Sequence, residues 1–140
     1  MLDTLVLSTR GRGLYRFDDQ VQGLLDRAGA TQGLATVFVR HTSASLIIQE
    51  NADPDVQGDL ERFFHQLVPD GDTDRGRALY RHTDEGPDDM PAHIRSALTT
   101  TSIGIPYDDG RLLLGTWQGL YLWEHRHAHH QRKVVVHTGR

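Results

Sequence analysis

Nine histidines in a chain of 140 residues are the most chemically suggestive feature of the sequence. Histidine is the commonest metal ligand and the one side chain that titrates near neutral pH without help. His41 follows an apolar run and leads into Thr42-Ser43-Ala44-Ser45. His82 opens an acidic connection, and His93 lies on the short helical segment that closes it. Gathered by the fold, the three would offer a divalent cation three neutral nitrogen donors; left apart, each is an ordinary core or surface histidine. A second group, His125-Arg126-His127-Ala128-His129-His130, would place His125, His127 and His129 on one face if extended. Its turn-like flanks favour a solvated hairpin tip instead. No H-E-x-x-H occurs, which argues against a zincin-type peptidase. Ser43 or Ser45 beside His41 lacks the G-x-S-x-G context of a serine hydrolase.

Carboxylates and amides form the next set. Glu124 ends the apolar run Leu120-Tyr121-Leu122-Trp123, and a carboxylate in such a strand must be paired, ligating or shifted in pKa. Asp88 stands near the start of a helix. Asp59 lies one turn from Asp55 on what reads as a helix's solvated face. Gly115-Thr116-Trp117-Gln118-Gly119 combines two glycines, a hydroxyl, an indole and an amide. With Asn51, that set suits an oxyanion or a flat ring, although a packed corner would look the same.

Several chemistries are excluded. With no cysteine there are no disulfides, thiolate nucleophiles or cysteine-type zinc sites. The one lysine, Lys133, sits in a strand-like run, and no P-loop is present. Fifteen basic against nineteen acidic side chains, a net charge of −4, argue against nucleic-acid binding. No signal-like start or long apolar run is visible, so the expectation is a cytoplasmic chain without a membrane span.

The elements that must position these residues follow from periodicity. Leu5–Thr9 and Leu14–Phe17 read as strands. A helix capped by Asp18 or Asp19 runs through Val21, Leu24 and Leu25 towards Gly29. Leu34–Arg40 and Ser45–Glu50 are strands. Asp53 and Pro54 open a helix with an apolar stripe at Val56, Leu60, Phe63, Phe64 and Leu67. Ala78–Tyr80 returns to a sheet, and Pro91–Leu98 is a short helix. Ser102–Tyr107 and Arg111–Leu114 flank the turn Asp108-Asp109-Gly110, and Gly119–His127 with Arg132–Thr138 forms a second hairpin. The expected architecture is one α+β domain over residues 1–140, mainly antiparallel, with two or three short helices.

His41-Thr42-Ser43-Ala44-Ser45, Glu50-Asn51, Tyr80-Arg81-His82, Asp88 through His93 and Gly110 through Gln118 occur in an order that resembles the YjbQ family, also called secondary thiamine-phosphate synthase. The resemblance covers nearly the whole chain, and Leu-x-Leu-Gly-Thr-Trp-Gln is its most specific part. It implies a barrel-like β-sandwich core and a homotrimer. It also implies a weak activity joining hydroxymethylpyrimidine pyrophosphate to thiazole phosphate with release of pyrophosphate. The family's polar cluster carries over onto His41, Asn51, Asp59, His82 and Asp88, and further along onto His93, Thr116, Trp117, Gln118 and Glu124.

These readings combine into one expectation. His41, His82 and His93 hold a divalent metal, zinc or magnesium. Asp88, Glu124 and Asp59 supply catalytic carboxylates, while Asn51, Thr116, Trp117 and Gln118 bind a phosphorylated substrate. A metal-dependent hydrolase of a small phosphorylated metabolite and a non-catalytic metabolite- or metal-binding module are the alternatives.

Overall fold

A computed structural model describes residues 1–139. Two antiparallel sheets share the chain. One has five strands: β1 (Leu2–Thr9), β8 (His130–Gly139), β3 (Gly33–Val39), β5 (Ser102–Asp108) and β6 (Arg111–Leu112), in that spatial order. The other places β7 (Gln118–Glu124) between β2 (Gly13–Arg16) and β4 (Ala44–Glu50). The helices are α1 (Asp18–Ala28), α2 (Pro54–Leu67), α3 (Asp74–Leu79) and α4 (Asp89–Leu98).

The core lies between the sheets and α1. Val37, Val39, Val134, Val136 and Ile105 come from the larger sheet, Leu46, Leu120 and Leu122 from the smaller, and Val21 and Leu25 from α1. Alternation makes this possible: along β8, Arg132, Val134, Val136 and Thr138 are buried while residues between them face outward. β7 departs from alternation, being buried from Gly119 through Glu124. As the central strand it is covered on its second face as well, where Trp123 meets Phe64 of α2 with ring centroids 4.8 Å apart.

Local chemistry sets two of the element ends. Asp53 caps α2 by accepting from the Asp55 amide at 2.9 Å, with Pro54 at the first helical position. The β5–β6 turn uses positive φ at Asp109 and Gly110, 50° and 72°.

Four expectations need correction. Neither Asp18 nor Asp19 caps α1: Phe17 holds that position without a side-chain cap bond, and Asp18 accepts from Arg16 and the Leu120 amide instead. Ala78–Tyr80 is not a strand, because Thr73 accepts from the Gly76 amide at 3.1 Å and starts α3 there. β7 and β8 are not a hairpin, since each joins a different sheet. The segment after Glu124 is not a solvated tip at its start: His125 is fully buried.

Candidate metal centre

His82, in the connection after α3, and His93, on α4, converge on Asp89 at the first turn of the same helix. Asp89 Oδ2 lies 2.7 Å from His82 Nε2 and 3.2 Å from His93 Nε2. The ligand atoms of the three residues all fall within 4.8 Å of one another. Asp89 and His93 meet because residues four apart share a helix face. Asp89 is almost wholly buried, whereas the two imidazoles keep 39% and 37% of their side-chain surface exposed, so one side of the centre opens to solvent.

The electrostatics keep Asp89 ionised. Burial opposes its charge, but the His82 hydrogen bond and the Arg126 guanidinium hold its carboxyl below the usual range. Arg126 Nη1 donates to Asp89 Oδ1 at 2.6 Å. Asp88 is likewise committed: its Oδ2 accepts from the His127 amide at 2.7 Å and faces Arg126 Nε at 3.1 Å. Burial also opposes its ionisation, and those two partners hold its pKa low.

Two nitrogens and one carboxylate oxygen facing an open side suit a divalent cation. In tetrahedral coordination with bonds near 2.0–2.1 Å, ligand atoms stand about 3.3 Å apart. The His93–Asp89 separation of 3.2 Å matches that, and the His82–Asp89 contact of 2.7 Å is shorter by about half an ångström. A cation there would take the place of the hydrogen bond between His82 Nε2 and Asp89 Oδ2.

The remaining candidate residues lie elsewhere. His41 Nε2 accepts from the Lys133 amide at 2.9 Å, beside the start of β8, and is not in the His82–Asp89–His93 group. Burial and the nearby Arg132 lower its pKa. Glu124 is fully buried and saturated. Its Oε1 accepts from Thr9 (2.6 Å) and Arg132 Nε (2.8 Å). Its Oε2 accepts from Arg132 Nη2 (2.5 Å) and the amides of His125 and Arg126. Burial would raise its pKa, yet these donors keep it depressed, so it has no lone pair directed at a metal or substrate. Asp59 is largely exposed on α2 and pairs with Arg62.

Asn51, Thr116 and Gln118 do meet. Asn51 Nδ2 donates to the carbonyls of Thr116 and Gln118, each at 3.2 Å, and Gln118 Oε1 accepts from the Gly115 amide at 2.7 Å. Trp117 projects from this corner, 64% exposed. The corner borders a cleft of about 260 Å³ that also contains Arg16 and Arg111. However, it lies at the Gln118 end of β7, and the His–Asp centre is tied through Arg126 to the opposite end. The length of β7 separates them by about 20 Å. Within one chain, no small substrate touches both.

Asp89 and Arg126 were not among the expected site residues. Starting α4 at Pro91 left Asp89 outside the helix and hid its four-residue spacing to His93. Arg126 was obscured among the histidines. A cleft of about 270 Å³ bounded by Tyr80, Thr83 and Pro87 adjoins His82 and was likewise not foreseen.

Residues 3–139 match the family described as UPF0047 protein YjbQ-like. A UPF0047 protein of Synechocystis sp. is 61% identical over 136 residues, spanning 97% of this chain and 89% of the relative. The UPF0047 protein YjbQ of Escherichia coli O157:H7 is 42% identical over 134 residues, spanning 95% and 93%. Among solved structures, a conserved hypothetical protein of Thermus thermophilus superposes with a TM-score of 0.83 at 33% identity, covering 98% of this chain and 99% of that one. A YjbQ/UPF0047 family protein of Clostridium acetobutylicum gives 0.81 at 34% identity, covering 99% of each.

Proposed function

The chain belongs to the YjbQ-like UPF0047 family, and from that premise we propose that it is a small-metabolite enzyme using a divalent cation at His82, Asp89 and His93. The carrying observation is the convergence of both imidazoles on one buried carboxylate oxygen, at 2.7 and 3.2 Å, beside an open cleft. A bound cation would neutralise charge developing on a phosphate or pyrophosphate oxygen. Asp89 would hold negative charge against it, and the pinned Asp88 would keep the start of α4 in place. The cleft along Tyr80 and Pro87 would receive the organic part of the substrate.

Within this reading, the finer activity is a weak joining of hydroxymethylpyrimidine pyrophosphate to thiazole phosphate. The half-exposed imidazoles favour a second reading, because open coordination positions also suit metal-assisted hydrolysis of a small phosphorylated metabolite. Assays with each phosphorylated substrate, with and without thiazole phosphate, separate the two. Thiamine phosphate formation that is lost with a chelator and regained with the cation supports the transferase. Phosphate release independent of thiazole phosphate supports the hydrolase. Activity unchanged after verified metal removal contradicts both.

We propose the homotrimer through the outer face of the five-stranded sheet. Leu2, Val6, Leu34 and Phe38 are exposed there on β1 and β3, on either side of β8. Exposed apolar side chains gathered on one sheet face favour association. Sedimentation velocity on a Val6→Glu/Phe38→Glu variant tests it, a monomer being the expected result and an unchanged mass the contrary one.

A further inference from the structure

Asp89 has two carboxylate oxygens, and only one of them faces the imidazoles. The other is taken by Arg126 Nη1 at 2.6 Å. The same guanidinium donates through Nη2 to the Glu85 carbonyl at 2.9 Å, and its Nε stands 3.1 Å from Asp88 Oδ2. One planar group thus holds the connection from His82, the residue before α4, and the first carboxylate on α4. We propose that Arg126 is the positioning residue of the His82–Asp89–His93 centre, fixing Asp89 as a one-oxygen ligand and setting the distance between the two imidazoles. The inference rests on the metal reading above.

Arg126 is itself held from behind. Its backbone amide donates to Glu124 Oε2 at 3.1 Å, and that carboxylate is clamped by Arg132 and Thr9. The neighbouring His127 amide donates to Asp88. The buried Glu124 therefore acts two steps from the centre, anchoring the backbone that aims the guanidinium. Ligand-orienting partners of this kind typically change metal affinity 10- to 100-fold when removed.

Charge and geometry pull in opposite directions at Arg126, and this makes the proposal decidable. A nearby positive charge repels a cation, so a purely electrostatic Arg126 would weaken binding and its removal would strengthen it. A positioning Arg126 has the reverse effect. Lysine would retain the charge but not the fork that donates to Asp89 and the Glu85 carbonyl at once while facing Asp88.

The test uses the full chain, with zinc affinity measured by competition against a chromophoric chelator and Co²⁺ absorption as the geometric readout. Arg126→Gln should bind zinc 10- to 100-fold more weakly and give an altered Co²⁺ spectrum. Arg126→Lys should regain thermal stability but keep the altered spectrum. Binding by Arg126→Gln that is tighter than, or within twofold of, the parent overturns the proposal, as does an unchanged Co²⁺ spectrum. If Arg126→Gln does not fold, a parent-like spectrum in Arg126→Lys overturns it instead. A parent protein that takes up neither ion removes the metal reading itself, a result distinct from the failure of Arg126 alone.

Discussion

Arg132 grips Glu124 with two nitrogens, Nε at 2.8 Å and Nη2 at 2.5 Å, in the interior where β7 leaves one sheet and β8 enters the other. This pair accounts for a carboxylate at the end of an apolar strand without assigning it to catalysis. Glu124→Gln would leave Arg132 charged and only 5% exposed beside a neutral partner. Breaking one side of a buried pair costs about 3–5 kcal/mol. Urea unfolding should show a loss of that order, and the folded fraction should bind zinc more weakly than the parent, because Glu124 anchors the Arg126 backbone.

The histidines should separate by function. His93→Ala and His82→Ala remove donors from the centre, and each should weaken zinc binding by at least tenfold in chelator competition. His41→Ala, whose Nε2 only accepts from the Lys133 amide, should leave zinc binding within twofold.

His125 predicts a specific acid sensitivity. Its Nε2 lies 2.8 Å from Ser45 Oγ, and burial, reinforced by Arg95 and Arg12, lowers its pKa to about 3. The unfolded chain takes up a proton near pH 6.5 and the folded chain does not. Stability from this residue is therefore complete above that pH and falls as pH drops from about 6.5 towards 3, by up to about 1.4 kcal/mol per unit. Denaturant midpoints across pH 7 to 4 should fall with that slope, and His125→Leu should flatten it.

Trp117 belongs to the Leu-x-Leu-Gly-Thr-Trp-Gln motif, yet at 64% exposure it contributes little packing. Trp117→Ala should change stability by no more than about 0.5 kcal/mol. Zinc binding should stay unchanged, because the corner lies at the other end of β7. A substantial loss of zinc in chelator competition would instead place the corner and the centre together.

Much of the architecture was legible in the sequence, because alternation and capping are local signals. β3, β4, α2 and the Asp109-Gly110 turn follow from them, and α1 from its apolar spacing alone, since its N-cap position is Phe17 with no side-chain cap bond. Failures began where a long-range partner decides. β7 reads as a hairpin strand until Trp123 is seen against Phe64, and the Thr73 cap of α3 competes with Ala78-Leu79-Tyr80, which is equally strand-like. At the site, His82 and His93 were identifiable by type, but their companion Asp89 depended on two residues at a helix start. Glu124 was rightly flagged as a carboxylate requiring partners; only the fold reveals that Arg132 and Thr9 already satisfy it.

The central claim meets its most direct test in isothermal titration of the metal-free chain with zinc, run beside the Asp89→Asn variant. One zinc should bind per chain with proton release at neutral pH, and the variant should bind at least tenfold more weakly. No uptake by the parent, or equal uptake by both, would contradict it.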